Sequence, residues 1–260
     1  MLLALFGATM GQGVMWVTGQ FYAQIFLENI VKIEFNESRY ILIFALVLAL
    51  PFYIFFGYLS DLIGRKWIML LGMLLGVLTF KPIYQKILDL SDVEKLEKTQ
   101  QITMGQASYK NEVLANLDTV ITTTIPVTLK NNVNYVKKYN NTISNNHVNS
   151  IKHSKISYEY KVFPKHIFII LVLLVFIQIL YGTMTYAPIA AYLVELFPIK
   201  IRYTSLSLPY HIGNGFFGGL VPFLATLLFS YSPEDKLAGL NYSIFISLIC
   251  FNYWGCIYEK

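Results

Sequence analysis

A short charged turn between two long apolar segments contains the residues whose spacing points most clearly to chemistry. The run Gly57–Lys66 reads G-Y-L-S-D-L-I-G-R-K and places Asp61 four residues before Arg65. In a helical turn that spacing puts the carboxylate and the guanidinium on one side, where they form an ion pair. Glu195 and Arg202 flank a proline further along, and we expect them to bond across that turn. Such pairs gate or anchor helices and do not catalyse reactions.

Polar side chains also recur inside the apolar segments. Gln12, Trp16 and Gln20 are spaced four residues apart, which predicts one helix face that lines a cavity; the alternative is polar contact between helices. His211 is an ionisable group well inside its segment, and Asn214 follows nearly one helical turn later. This pair is a candidate for carrying a coupled proton, and the alternative is a histidine that bonds a neighbouring helix.

The predicted cavity residues are amides, hydroxyls and aromatic rings. They are Gln12, Trp16, Gln20, Tyr22, Gln178, Tyr181, Thr185 and Tyr186. No Lys or Arg lies in the core of an apolar segment, so a dianion would need cations from elsewhere. A zwitterion with a quaternary or secondary ammonium can use aromatic faces, which favours a proline- or betaine-like solute. The sequence has no phosphate-binding loop, H-E-x-x-H motif or nucleophile elbow, so we expect neither an enzyme nor a metal or cofactor site.

The elements that must position these residues are membrane-spanning helices. The 260-residue chain is 55% hydrophobic and 13% charged, against about 25% charged residues in soluble domains. Six apolar runs are candidate spans: 1–27, 40–60, 67–80, 167–194, 203–232 and 237–258. A span needs roughly 20 helical residues, so the third run must continue past Lys81. The alternative for that run is a buried or re-entrant segment.

These runs predict an all-α integral membrane protein with three helices in residues 1–85 and three in residues 164–260. Between them lies a large polar loop, residues 86–163, that is rich in Asn, Lys, Ser and Thr. Its sparse hydrophobic residues predict a flexible or weakly folded segment, with a short helix at Asp89–Lys98. Twelve lysines face seven acidic residues between Lys81 and Lys165. We interpret the excess as keeping the loop solvated, rather than as a site for nucleic acid or acidic lipid.

The charges on the short connections predict the orientation. Arg65 and Lys66 fall on the same side of the membrane as Lys200 and Arg202. Short basic loops stay in the cytoplasm, whereas loops longer than about 60 residues cross largely regardless of charge. We therefore expect a multi-pass protein of the cell (inner) membrane with both termini in the cytoplasm and loop 86–163 outside.

Three motifs in order carry a family resemblance. The G-x-L-S-D-x-x-G-R-K turn resembles the signature loop of the major facilitator superfamily, which consists of twelve-helix secondary transporters. The E-L-F-P-x-x-x-R-Y-T stretch at residues 195–204 looks like a loop of its metabolite–proton symporters, which include proline/betaine, 2-oxoglutarate, shikimate and citrate permeases. Residues 210–219 and 11–23 are similar to helices of the same proteins. The resemblance covers all six runs and fails in residues 86–163.

The resemblance implies that the six spans are equivalent to helices seven to twelve, the C-terminal half of a proton-coupled transporter of small organic solutes. It also implies a gating role for the signature turn and its neighbours, which are Gly57, Asp61, Gly64, Arg65, Lys66, Glu195 and Arg202. The alternative to a gating role is that Arg65 and Lys66 only anchor the helix at the lipid headgroups. The implied partners are the bilayer, the solute, protons, and an N-terminal half or a second copy of the chain. The alternative function is a truncated, non-transporting fragment or interaction module.

Overall fold

The structure is a computed structural model that describes residues 2–99, 101–113, 119–143 and 151–257. The chain divides into two compact units. The helical unit is drawn from Met1–Phe26, Arg39–Asp89 and Ile170–Lys260. The sheet unit is drawn from Leu27–Ser38 and Leu90–Ile169. The predicted division at residues 86 and 163 lies close to these limits, but the segment at residues 27–38 joins the sheet unit.

The first helical run, residues 4–30, alternates between α-helical and π-helical turns. Its α segments are α1 (Met10–Val17) and α2 (Ala23–Ile25). The π segments are Ala4–Thr9, Thr18–Tyr22 and Phe26–Ile30. Because a π turn uses i→i+5 bonds, each one shifts the side chains that follow away from the ordinary 3.6-residue repeat.

The remaining helices follow in chain order. They are α3 (Phe35–Ile63), α4 (Arg65–Leu90), α5 (Val93–Thr99), α6 (Lys165–Tyr186), α7 (Ile189–Leu196), α8 (Arg202–His211), α9 (Leu220–Tyr231) and α10 (Leu240–Ile257). A 3-10 turn at Ile199–Ile201 precedes α8, and a π segment at Ile212–Gly218 joins α8 to α9. Of these helices, α5 belongs to the sheet unit.

Four helical segments among the described residues are long and apolar enough to cross a membrane. They are Phe35–Ile63, Arg65–Lys98, Lys165–Leu196 and Ile199–Tyr231. They contain the second to fifth predicted spans. The first and sixth predicted spans are helical but are not among these four, so the count of six spans stays a prediction. The third predicted span continues past Lys81 as expected, because α4 runs unbroken from Arg65 to Leu90.

The first helical run crosses the π segment at Ile212–Gly218 with the two backbones in contact. A Cβ atom at Gly13 would lie 2.6 Å from the carbonyl oxygen of Gly213, and one at Gly213 would lie 2.6 Å from the Thr9 backbone. The Thr9 hydroxyl donates a 2.8 Å hydrogen bond to the Pro209 carbonyl. Small residues permit such close crossings between membrane helices. This crossing fixes α8 and the π segment against the first run.

The sheet unit contains a five-stranded antiparallel sheet. Its strands are β1 (Ile102–Met104), β2 (Ser108–Val113), β3 (Thr119–Leu129), β4 (Asn134–Ile143) and β5 (Ile151–Val162). β3 pairs with β1 and β2 along one edge and with β4 along the other, and β5 pairs with β4. The prediction of a flexible or weakly folded segment is wrong for these strands. Their Thr, Ile, Val and Tyr residues favour strands, although a hydropathy count scores Thr and Tyr as polar.

Helix α5 is fixed to the sheet by a mostly buried ion pair. Lys137 Nζ donates to both carboxylate oxygens of Glu97, at 3.0 and 3.2 Å, and the hydroxyl of Tyr135 also bonds this carboxylate. Only 13% of the Lys137 side chain and 11% of the Glu97 side chain are exposed. Burial opposes the charge of Lys137, but the bond to Glu97 outweighs it and raises the pKa of the lysine. Burial, reinforced by Glu97, also raises the pKa of Tyr135. The helix predicted at Asp89–Lys98 is thus present, but it begins at Val93.

Candidate functional site

The signature turn is a tight reversal between α3 and α4. Gly64 separates the two helices and has φ = +105°, a conformation that residues with a Cβ rarely adopt. Its N–H donates to the carbonyl of Ser60 at 3.0 Å. Gly64 therefore permits the reversal. At Gly57, no atom of the described residues lies within 4 Å of the position of a Cβ.

Arg65 joins two carboxylates at this turn. Its Nη2 lies 3.2 Å from Oδ1 of Asp61, the pair that the four-residue spacing predicts. Its Nε and Nη2 also donate to the two carboxylate oxygens of Glu195, at 2.9 and 2.7 Å. This bidentate contact ties the start of α4 to the end of α7. Lys66 lies beside the cluster, with its Nζ 5.5 Å from the centre of the Trp67 ring.

The predicted bond between Glu195 and Arg202 is wrong, because Glu195 binds Arg65. Arg202 Nε instead donates to the carbonyl of Phe197 at 3.1 Å. The reason lies in the backbone after α7. Phe197 is extended (φ −113°, ψ 139°) before Pro198, so the helix breaks where the proline predicts. Arg202 is then placed to bond a carbonyl left free beyond the end of α7.

An aromatic groove lies on the helical unit, and its four rings come from four helices. Trp16 stacks on Tyr186 with ring centres 4.5 Å apart, and Tyr53 meets Trp16 and Tyr186 edge-on at 6.1 and 6.2 Å. The hydroxyls of Tyr186 and Tyr210 are hydrogen-bonded at 3.2 Å. We call Trp16, Tyr53, Tyr186 and Tyr210 the aromatic groove.

The groove consists of two adjoining open depressions that share Tyr53 and Tyr186. One, of about 520 Å³, reaches Tyr210, and the other, of about 360 Å³, reaches Trp16. The other lining residues are aliphatic and come mainly from α3 and α7.

A pair of amides lies beside the groove. Asn214 Nδ2 donates to Oε1 of Gln12 at 3.0 Å and to the carbonyl of Tyr210 at 3.1 Å. Gln12 is fully buried, and its Nε2 has no partner among the described residues. His211 is exposed, and its ring lies 5.9 Å from the ring of Tyr210. The structure thus brings Asn214 to Gln12, and the candidate proton carrier His211 lies outside that amide pair.

Of the eight predicted cavity residues, Trp16 and Tyr186 line the groove. Tyr22, Gln178 and Thr185 are buried within the helical unit, like Gln12. Gln20 and Tyr181 are half-buried, and the Tyr181 hydroxyl accepts a 3.0 Å bond from Thr79. Gln20, four residues after Trp16, does not line the groove.

Sequence reasoning missed two of the four groove residues, Tyr53 and Tyr210. Tyr53 lies in the aromatic run P-F-Y-I-F-F, and the sequence does not show which of its four rings lines a groove. Tyr210 directly precedes His211, and the sequence analysis selected the ionisable histidine as the candidate instead. A signal did exist for Tyr210, because a tyrosine hydroxyl deep in an apolar segment needs a hydrogen-bond partner.

The apolar helices together indicate a membrane protein whose helical unit carries an aromatic groove. Comparison of the chain with family models, curated proteins and solved structures finds no match.

Proposed function

We propose that the chain is the C-terminal half of a proton-coupled secondary transporter of small organic solutes, of the proline/betaine or organic-acid type. The observation that carries this proposal is the aromatic groove: four rings from four helices meet beside a buried amide pair. Aromatic rings combined with hydroxyl and amide groups are not expected on a lipid-facing surface. Solute sites, in contrast, are lined by apolar faces with a few fixed polar groups.

The chemistry of the groove favours a zwitterion with an ammonium group. The residues that line it include no charged side chain. A quaternary or secondary ammonium over the faces of Trp16 and Tyr186 gains about 0.5–2 kcal/mol per cation–π contact. The hydroxyls of Tyr186 and Tyr210 offer hydrogen bonds to the anionic end of such a solute. An organic dianion would require cations from a partner chain.

The Arg65 cluster is suited to act as the cytoplasmic latch. It ties α4 to α7 through side chains that are partly exposed: 23% of Arg65 and 60% of Glu195. Ion pairs that are open to solvent contribute at most about 1 kcal/mol each. A contact of that strength can break and reform when α4 and α7 separate during a transport cycle. A deeply buried pair would hold one state too firmly.

Two of the four candidate spans leave room for a partner. In the apolar windows of Phe35–Ile63 and Ile199–Tyr231, 22% of residues are buried, against 50% in each of the other two. Tyr53 and Tyr210 of the groove lie on these two open segments. We propose that an N-terminal half, or a second copy of the chain, covers this side and completes the cavity.

Binding of radiolabelled solutes to the purified chain in detergent tests this proposal. We expect glycine betaine and proline to bind in competition with each other and more tightly than 2-oxoglutarate. The Trp16→Ala variant should lose at least ten-fold in affinity, while Trp67→Ala, a ring at the charged turn, should bind normally. Equal binding by wild type and Trp16→Ala would reject the groove as the solute site.

The folded sheet favours a second candidate function, a membrane-anchored interaction module. Tyr109, Thr123, Tyr139 and Ile156 are cross-strand partners on one face, in a row across β2 to β5. Tyr109 is 72% exposed and Ile156 is 47% exposed. If this is the main function, the chain does not bind solutes. The Tyr109→Ser variant then changes the capture of a protein partner, and the Trp16→Ala variant leaves that capture unchanged.

A further inference from the structure

Residues 199–203 alternate large apolar side chains with basic ones on the surface of the helical unit. The sequence there is I-K-I-R-Y, and it covers the 3-10 turn before α8 and the first residues of α8. Ile199 is 82% exposed and Tyr203 is 84% exposed. Ile201 and Lys200 are also exposed. Contiguous exposed apolar side chains mark surfaces that contact a membrane or another protein.

The charged turn between α3 and α4 has the same combination of exposed apolar and basic residues. Three large apolar side chains are exposed there: Leu62, Ile63 and Trp67. The bidentate bond from Arg65 to Glu195 ties the start of α4 to the end of α7, and α7 leads directly into residues 199–203. The two exposed segments therefore lie at the same end of the helical unit.

This end of the helical unit has an excess of positive charge. Residues 61–67 and 195–203 contain two acidic and four basic residues, which are Asp61, Glu195, Arg65, Lys66, Lys200 and Arg202. Arg65 pairs with both carboxylates. The bond from Arg202 to the carbonyl of Phe197 does not neutralise the charge of the guanidinium. Two net positive charges therefore lie among exposed apolar side chains, and a fitting partner offers negative charge beside an apolar phase.

We propose that residues 61–67 and 195–203 form a docking surface for anionic phospholipids, which we call the basic surface. Both Arg65–Lys98 and Ile199–Tyr231, which are candidate membrane spans, begin in this surface. The end of a span meets the lipid headgroups whichever way the chain crosses the membrane, so lipid fits this position better than an acidic protein does. The lysines attract the headgroup phosphate, while Ile199 and Tyr203 enter the adjoining apolar layer. The surface goes beyond the proposed function, because lipid binding requires no transport.

Quenching of Trp67 fluorescence tests the basic surface in the full chain. The chain is reconstituted into phosphatidylcholine vesicles that contain increasing fractions of phosphatidylglycerol with brominated acyl chains, which quench tryptophan on contact. Parallel vesicles contain brominated phosphatidylcholine instead. The part of the quenching that is lost in Trp67→Phe reports this surface, because Trp16 and Trp254 remain. We expect a preference for phosphatidylglycerol of at least about ten-fold beside Trp67, and 1 M NaCl should remove most of it by screening the charges.

Variants identify the charges involved. Lys200→Gln removes an exposed charge, so it should fold normally and lower the preference about five-fold, the usual effect of one basic residue near an anionic membrane surface. Lys165→Gln is the matched control, because Lys165 is an exposed lysine at the far end of the candidate span Lys165–Leu196, and it should leave the preference unchanged. Tyr203→Trp in a Trp67→Phe background places the fluorophore on the second segment and should show the same preference.

Three outcomes overturn the proposal. Equal quenching by the two brominated lipids would leave an acidic protein as the partner that fits, and an unchanged preference in Lys200→Gln would remove the lysine from the site. Loss of the preference on adding soluble glycerol phosphate, with ionic strength matched by NaCl, would indicate a site for a free phosphate and not for a lipid. Since no solute is present, the result is independent of whether the chain transports one.

Discussion

Arg65 is the residue at which the two charged motifs of the sequence meet. Its pair with Asp61 is local, and the four-residue spacing was enough to predict it. Its pair with Glu195 spans 130 residues, and no pattern in the sequence states which acidic residue a distant arginine will reach. The spacing of Glu195 and Arg202 suggested a local partner, but the extended backbone at Phe197 turns Arg202 towards a carbonyl instead.

A double-mutant cycle tests this arrangement. We expect Arg65→Gln and Glu195→Gln to be non-additive, with a coupling energy of about 0.5–1 kcal/mol, because the bidentate contact is partly exposed. Arg202→Gln combined with Glu195→Gln should be additive, which makes it the matched control. Chemical unfolding in mild detergent gives the free energies. Coupling to Arg202 and not to Arg65 would contradict the geometry of the turn.

At the scale of single elements, the sequence predicted where helices break and how far they extend, because these features depend on neighbouring residues in the chain. The break after α7 follows from Pro198, and the extent of α4 past Lys81 follows from the roughly 20 residues that a span needs. The π segments were not predicted; the one at Ile212–Gly218 lies where Gly213 contacts the backbone of Thr9, a residue about 200 positions away in the chain. The sheet was missed because its threonines and tyrosines give β propensity without hydrophobicity.

The glycine crossing provides a test at this scale. Gly213→Ala should lower the melting temperature in detergent by at least about 5 °C or prevent folding, because its Cβ would lie 2.6 Å from the backbone of Thr9. Gly215→Ala, two residues away in the same π segment, is the control, since nothing lies within 4 Å of its Cβ. Similar melting temperatures for the two variants would mean that the first helical run does not cross there.

The ion pair under α5 predicts a pH effect in the sheet unit. The folded state raises the pKa of Lys137, so the pair stabilises the sheet below the ordinary lysine pKa of about 10.4 and loses this contribution as pH rises through the folded value. We expect Glu97→Gln to leave Lys137 mostly buried without its counter-charge and to destabilise the unit by about 2 kcal/mol.

Hydrogen exchange of β4 amides in the full chain measures that loss. Protection should fall in Glu97→Gln and should decline less between pH 9 and pH 11 than it does in the wild type, with the burial of Tyr135 responsible for the decline that remains. Glu94→Gln, which breaks an exposed pair with Lys98, should leave exchange in β4 unchanged. An effect of the same size in both variants would show that α5 is not held by the buried pair.

At the scale of the whole molecule, composition alone indicated a membrane protein, and the orientation remains a prediction. The predicted orientation puts Lys200 in the cytoplasm and Thr124, in β3, outside, so the two positions are expected to face opposite sides of the membrane. A membrane-impermeant maleimide should label Thr124→Cys in intact cells and label Lys200→Cys only after permeabilisation. The reverse pattern would place the sheet in the cytoplasm.

Transport itself is the central claim, and uptake into proteoliposomes tests it most directly. The chain is reconstituted alone and together with a six-span N-terminal half, and accumulation of radiolabelled glycine betaine is followed under an imposed proton gradient. We predict gradient-driven accumulation in at least one preparation and at least a ten-fold lower rate with Trp16→Ala. No accumulation in either preparation, or an unchanged rate in Trp16→Ala, would contradict a transporter that uses the aromatic groove.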